Sequence, residues 1–361
     1  MRRGHAVDGR RRRRWVISGG VVLGAVVASG VGLWATDSPP FRDSYCWGAW
    51  QQDSGPDFLG DEGLAKSGSV RSATESAAPS ADGPLVRCTV TVGSTVPDDD
   101  SDGPLTFKEQ VTAEYGPVPY GARERHDWIA RYFGGSGARL PDGLDGLVAP
   151  DRAMLVLPEG CDVGGRPSAV TIHSASTGDG HLGKVAMPFS IGTRSEVVRM
   201  LVDLANTGMR KAGCAPAEPL RTSSPVVTVP EDDESAQDPL CRIPGVRVKL
   251  GKGSGYRQQV GVVDGRLQTC SVVWRARGVP DEPAAQYVMT SEPRLAALFD
   301  GLPEGAGEGL TRTDCAGRRT VFYAHPGTSL EGAGVPDDRT VFGRFAASVG
   351  DRIGCGPGED A

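Results

Sequence analysis

Downstream of the first forty or so residues, the apolar positions fall into short helical and strand-like runs. Val341, Phe345, Val349 and Ile353 recur every four residues and stop at Gly354, the pattern of an amphipathic helix ended by glycine. Val197, Leu201, Leu204 and Ala205 share one face of a second helix, which Thr193 and Glu196 open as a capping box. Two further helices are expected, over 123–133, stopped by Gly134 and Gly135, and over 291–299. Strand-like runs lie at 87–92, 111–115, 153–157, 169–173, 184–189, 256–263, 266–275 and 320–324. Asp264-Gly265 joins two of these runs. It predicts a hairpin with a type I′ turn, because that turn needs positive φ at both central residues. The order hairpin, helix, strand, helix predicts an α+β fold, an antiparallel sheet with helices on one face.

The N-terminus breaks this pattern. Arg2, Arg3 and the run Arg10, Arg11, Arg12, Arg13, Arg14 precede 18 uncharged residues, 16–33. As a helix, that run is about 27 Å long, close to the thickness of a hydrocarbon core. Trp15 and Trp34 stand at its ends, where interfacial aromatics are enriched. The positive flank predicts a basic cytoplasmic tail over 1–15, a single transmembrane anchor over 16–34, and the remainder outside the cell membrane. A cleaved signal peptide competes with this reading, but Leu33-Trp34-Ala35 is a poor cleavage site. Gly20, Gly24, Ala28 and Gly32 share one face of the span, and small residues at that spacing let two copies approach as a homodimer.

The eight cysteines resolve into two matching sets of four. Asp43-Ser44-Tyr45-Cys46 parallels Asp238-Pro239-Leu240-Cys241. Asp82-Gly83 ahead of Cys88 parallels Asp264-Gly265 ahead of Cys270. After Cys161, Gly165-Arg166 leads to Ser168 and His173, and after Cys315, Gly317-Arg318 leads to Thr320 and His325. Gly213-Cys214-Ala215-Pro216 parallels Gly354-Cys355-Gly356-Pro357. Such coincidences in one order predict two homologous disulfide-bonded domains, 35–216 and 238–361, with a Pro-rich acidic linker over 217–237. An even number of cysteines without a CxxC pair reads as structural disulfides outside the cytoplasm. Pairing of neighbours in chain order is expected: Cys46–Cys88, Cys161–Cys214, Cys241–Cys270 and Cys315–Cys355.

Composition then narrows function. Among 361 residues the net charge is −6, which argues against nucleic acid as a partner. Arg outnumbers Lys by 33 to six and Asn206 is the single Asn, the usage of a GC-rich bacterial genome. Asp98, Asp100, Asp102, Gly103 and Glu109 match the twelve-residue calcium loop D-x-[DN]-x-[DN]-G-x5-E, in which oxygen ligands converge on a hard cation. The resemblance to EF-hand loops ends there, because the flanks are strand-like, so only an isolated calcium site is expected. His173 and His325 hold matching repeat positions, and the expectation is a structural role at strand ends. His181 lies in a formal GxGxxG that opens no helix. Trp47 and Trp50 beside Cys46 are expected to pack on a disulfide. No nucleophile elbow, H-E-x-x-H or P-loop occurs. The chain thus reads as an anchored, extracytoplasmic envelope protein that binds or scaffolds, with an envelope protein or a glycan as ligand. The alternatives are an anchored envelope hydrolase, with His126, His173, His181 or His325 in a triad, and a calcium-dependent adhesion or sensor module.

Overall fold

Strand pairing follows the cysteine repeat. The computed structural model describes residues 44–65, 68–96, 104–178, 186–228, 239–245, 256–274, 282–325, 330 and 336–356. The first half contains β1 (Ser44–Tyr45), β2 (Trp50–Gln51), β3 (Val70–Glu75), β4 (Val86–Val96) and β5 (Leu105–Pro117). Helix α1 (Ala122–Phe133) is followed by β6 (Ala138–Arg139), β7 (Gly146–Ala149), β8 (Arg152–Val156), β9 (Ser168–Gly178) and α2 (Arg194–Ala212). The second half contains β10 (Tyr256–Val263), β11 (Leu267–Trp274), β12 (Glu282–Thr290) and α3 (Pro293–Ala297). It closes with β13 (Leu310–Cys315), β14 (Arg318–Ala324) and α4 (Asp338–Ile353). The expected span 16–34, with Gly20, Gly24, Ala28 and Gly32, lies outside the described residues. Among the described residues, no helix is long and apolar enough to cross a membrane.

The fold is α+β with antiparallel sheets. The first sheet has the order β3-β4-β5-β9-β8-β7-β6 and the second β10-β11-β12-β14-β13. The second order repeats the first five strands of the first. Register repeats as well. Cys88 pairs with Ala113, which pairs with Ile172, while Cys270 pairs with Tyr287, which pairs with Ala324. Three residues further along, Gly116↔Ala169 corresponds to Thr290↔Val321. Helices α1 and α3 occupy matching places between the third and fourth strands in chain order of each five-strand unit. Helices α2 and α4 each follow the fifth.

The disulfides join Cys46 to Cys88, Cys161 to Cys214, Cys241 to Cys270 and Cys315 to Cys355, the neighbour pairing within each half. The local backbone repeats around them. Cys46 and Trp47 are both left-handed, at φ 53° and 61°, and so are Cys241 and Arg242, at 58° and 56°. Two consecutive non-glycine residues in that sparse region carry strain that the cross-link holds in place. Each final helix ends at a left-handed glycine, Gly213 at φ 73° and Gly354 at 76°, and the cysteine follows directly. Cys214 N–H then caps the Met209 carbonyl, and Cys355 N–H caps Gly350.

Several local expectations are corrected. The hairpin at Asp264-Gly265 forms, yet neither residue is left-handed. Instead the Asp264 Oδ1 accepts from the N–H groups of Arg266 and Leu267, both at 2.7 Å, an Asx turn that removes the need for positive φ. The run 184–189 does not continue the sheet: of its described residues only Met187 bridges, to Ser176. The helix expected over 291–299 is shorter, because Pro293 sets its start. His173 sits inside β9, opposite Thr112 and Arg152, rather than at a strand end. His325 does follow the end of β14. The first part of the expected linker is tethered to the first half. Asn206 holds Leu220 through both its amide groups, at 2.9 Å each, and Asp142 accepts from Ser223 N–H at 2.6 Å.

Each sheet has one face covered by its final helix and part of the other face covered by the opposite half, where one covered face was expected. On one face of the first sheet, Val90, Val111, Ala113 and Ile172 pack with Val197, Leu201, Leu204 and Ala205 of α2. The second sheet packs Cys270, Tyr287 and Phe322 with Val341, Phe345 and Val349 of α4 in the same way. The remaining faces meet each other. Met154, Val156 and Ala169 of the first sheet share one apolar cluster with Val288, Val321 and Tyr323 of the second. Helix α1 contributes Ile129 and Phe133 to that cluster, and the α3 region contributes Leu295, Leu298 and Phe299. Phe133 and Phe299 lie 5.9 Å apart between ring centroids. Residues 44–361 therefore form one body around a core that both halves supply.

Candidate functional site

Polar side chains cross the seam between the halves. Arg125 on α1 is 3% exposed, donating from Nε to the Pro119 carbonyl at 2.6 Å and from Nη1 to the Leu298 carbonyl at 2.8 Å. Burial pushes its pKa down to about 10, with Arg166 adding to the effect, so it remains cationic at neutral pH. Arg294 on α3 makes the converse contact. It donates to the Leu157 carbonyl and forms a two-pronged pair with Asp162, at 2.6 and 2.9 Å. Each connecting helix thus sends an arginine to a backbone carbonyl of the other half. Arg139 adds an ion pair to Glu292 at 2.6 Å.

Two histidines flank the same seam. His173 Nδ1 lies 3.2 Å from the Tyr132 hydroxyl, and burial, with Arg131 nearby, pushes its pKa down to about 4. His126 Nδ1 lies 3.0 Å from the Tyr323 hydroxyl, and its ring stands edge-on to His325 at 6.2 Å. Burial and His325 lower the pKa of His126. Beside His173, Glu114 accepts from Arg87 at 2.6 Å and from Thr171 at 3.3 Å. The hydrogen-bond partner of His173 is therefore a buried phenol rather than the nucleophile of a triad.

Among the described residues, open pockets lie beside the starts of α4 and α2. One, of about 640 Å³, is lined by His325, Glu308, Gly309, Asp337, Arg339 and Phe342 at the start of α4. The other, of about 660 Å³, is lined by Asp57, Phe58, Glu109, Phe189, Ile191 and Glu196 at the start of α2. In the second, Phe58 and Phe189 stand 5.7 Å apart and give the pocket an aromatic wall under a carboxylate rim. Both helix starts are capped from within, by Thr193 with Glu196 and by Asp337 with Thr340.

Of the expected calcium ligands, Asp98, Asp100 and Asp102 lie outside the described residues. Glu109 stands on β5 opposite Val92, four ladder pairs from Val96↔Leu105, and lines the second pocket. No group of three or more His, Cys, Asp or Glu side chains suited to a metal occurs among the described residues. His181 also lies outside them. Trp47 and Trp50 are buried, their indole N–H groups donating to Ser76 and Met200 carbonyls. They pack in the core cluster that holds Cys46 and Cys88. Sequence reasoning missed Arg125, Arg294 and the two Tyr–His contacts; the four-residue spacing that puts Arg125 on the same face of α1 as Ile129 was the available signal.

No family model matches the chain, and neither a curated protein nor a solved structure does.

Proposed function

We propose that this chain is a membrane-anchored, extracytoplasmic envelope protein whose duplicated body binds or scaffolds a partner without performing catalysis. The observation that carries the reading is the state of the cysteines. All eight are paired, each with its neighbour in its own half, and none is free. Such a framework persists in an oxidising compartment. The uncharged run 16–33 behind a block of arginines supplies the anchor. A two-sheet body whose seam arginines and histidines sit in structural contacts, with open pockets beside the starts of α2 and α4, supports binding. The pocket with Phe58, Phe189 and Ile191 under Asp57, Glu109 and Glu196 is the surface assigned to the ligand.

Two measurements test this. An epitope placed at the C-terminus is expected to be digested when protease is added to intact spheroplasts. Its protection until lysis would overturn the topology. A photoreactive amino acid at Asp57 is expected to cross-link in living cells to an envelope component, while one at exposed Lys211 is not. Cross-linking at neither position, or equally at both, would overturn the assignment of the pocket.

A further inference from the structure

Helix α1 is pinned to both sheets by the same pair of side-chain types. Tyr132 reaches His173 on β9 of the first sheet at 3.2 Å. Two turns earlier on the helix, His126 reaches Tyr323 on β14 of the second sheet at 3.0 Å. His173 on β9 and His325, just past the end of β14, hold matching positions in the two halves, and His325 stands edge-on to His126. Between these pins the helix contributes Ile129, and just past the second it contributes Phe133, to the core that both halves share.

We propose that α1 is an acid-sensitive latch between the two halves: it holds them together while His126 and His173 are neutral, and their protonation releases the helix and parts the sheets. Protonation does not delete either hydrogen bond, since an imidazolium donates where the neutral ring accepts. It places a charge at two half-buried positions of a seam that already holds cations. His173 faces Arg131 and Arg87, while Glu114 is paired with Arg87 and Asp151 with Arg152. Thr112 and Arg152 flank it in the sheet. His126 faces His325 and Arg125, against Asp127 and Glu308. Both folded-state values lie below that of a free histidine, so the closed state binds fewer protons than the open one. The latch is therefore stable above about pH 6.5 and weakens as pH falls below it. For His173 and His126 alike the sign is the same: the closed state loses population relative to the open one as pH falls from 7.5 to 5.

The test is hydrogen exchange by mass spectrometry on the full chain in detergent micelles at pH 7.5 and 5, corrected for intrinsic rates. Peptides from α1 and α3 are expected to lose at least tenfold protection at pH 5, while α2, α4 and the strands they cover keep theirs. A His126→Phe, His173→Asn double variant, which cannot titrate at either position, is expected to remove the pH dependence. Unchanged protection of α1, or simultaneous loss in every element, would overturn the proposal, and so would an equal response in the double variant. The wild-type profile decides alone if the variant does not fold.

Discussion

Arg125 of the first half donates to the carbonyl oxygen of Leu298 in the second, 2.8 Å away across the seam. The same guanidinium holds the Pro119 carbonyl. Replacing it with Met leaves two buried acceptors without donors, each a loss of about 1–3 kcal/mol, partly offset because a buried charge is removed. Arg125→Met is therefore expected to lower stability by about 2–3 kcal/mol in denaturant titration. Arg123→Met, at an exposed position on the same helix, is expected to change it by no more than about 0.5 kcal/mol.

At neutral pH, with α1 in place, the shared core makes the two halves one cooperative unit. Phe299 is fully buried and stacks near both Phe133 and Tyr323. Phe299→Ala is expected to cost about 3–5 kcal/mol. Calorimetry should show a single transition for residues 44–361, shifted as a whole by this variant. Two transitions, only one of them shifted, would show independently folding domains.

Gly208 lies inside α2, where helix propensity alone favours alanine by about 1 kcal/mol. A Cβ built there runs into the Tyr115 ring, and Tyr115 is itself packed in the sheet. Gly208→Ala is therefore expected to destabilise, by about 1–3 kcal/mol, against the propensity. Thermal melting of the variant decides the sign.

What the sequence makes legible, and what it hides, follows from the range of the interactions. The repeated arrangement is readable because a disulfide needs its flanking turns, and those turns recur in Asp-Gly, Gly-Arg and Gly-Cys in the same order in both halves. Helix α2 is readable because its cap and its stop are local: Thr193, Glu196 and Gly213 lie within the helix or next to it. The seam is not readable. Met154, Val288 and Tyr323 alternate along their strands as residues on any half-buried face would, and nothing in that period says which face meets the other half. The contact of His126 with Tyr323 joins residues 197 positions apart. Strand β13 escaped because Leu310–Cys315 is mostly polar, with Leu310 and Cys315 its two buried residues. Its place comes from pairing with β14, not from its own pattern.

Disulfide mapping of protein alkylated inside cells before lysis tests the central account most directly. The account predicts four linked peptide pairs, Cys46 with Cys88, Cys161 with Cys214, Cys241 with Cys270 and Cys315 with Cys355, and no alkylated cysteine. A link between the halves would contradict the duplicated fold, and a substantially alkylated set would contradict an extracytoplasmic body.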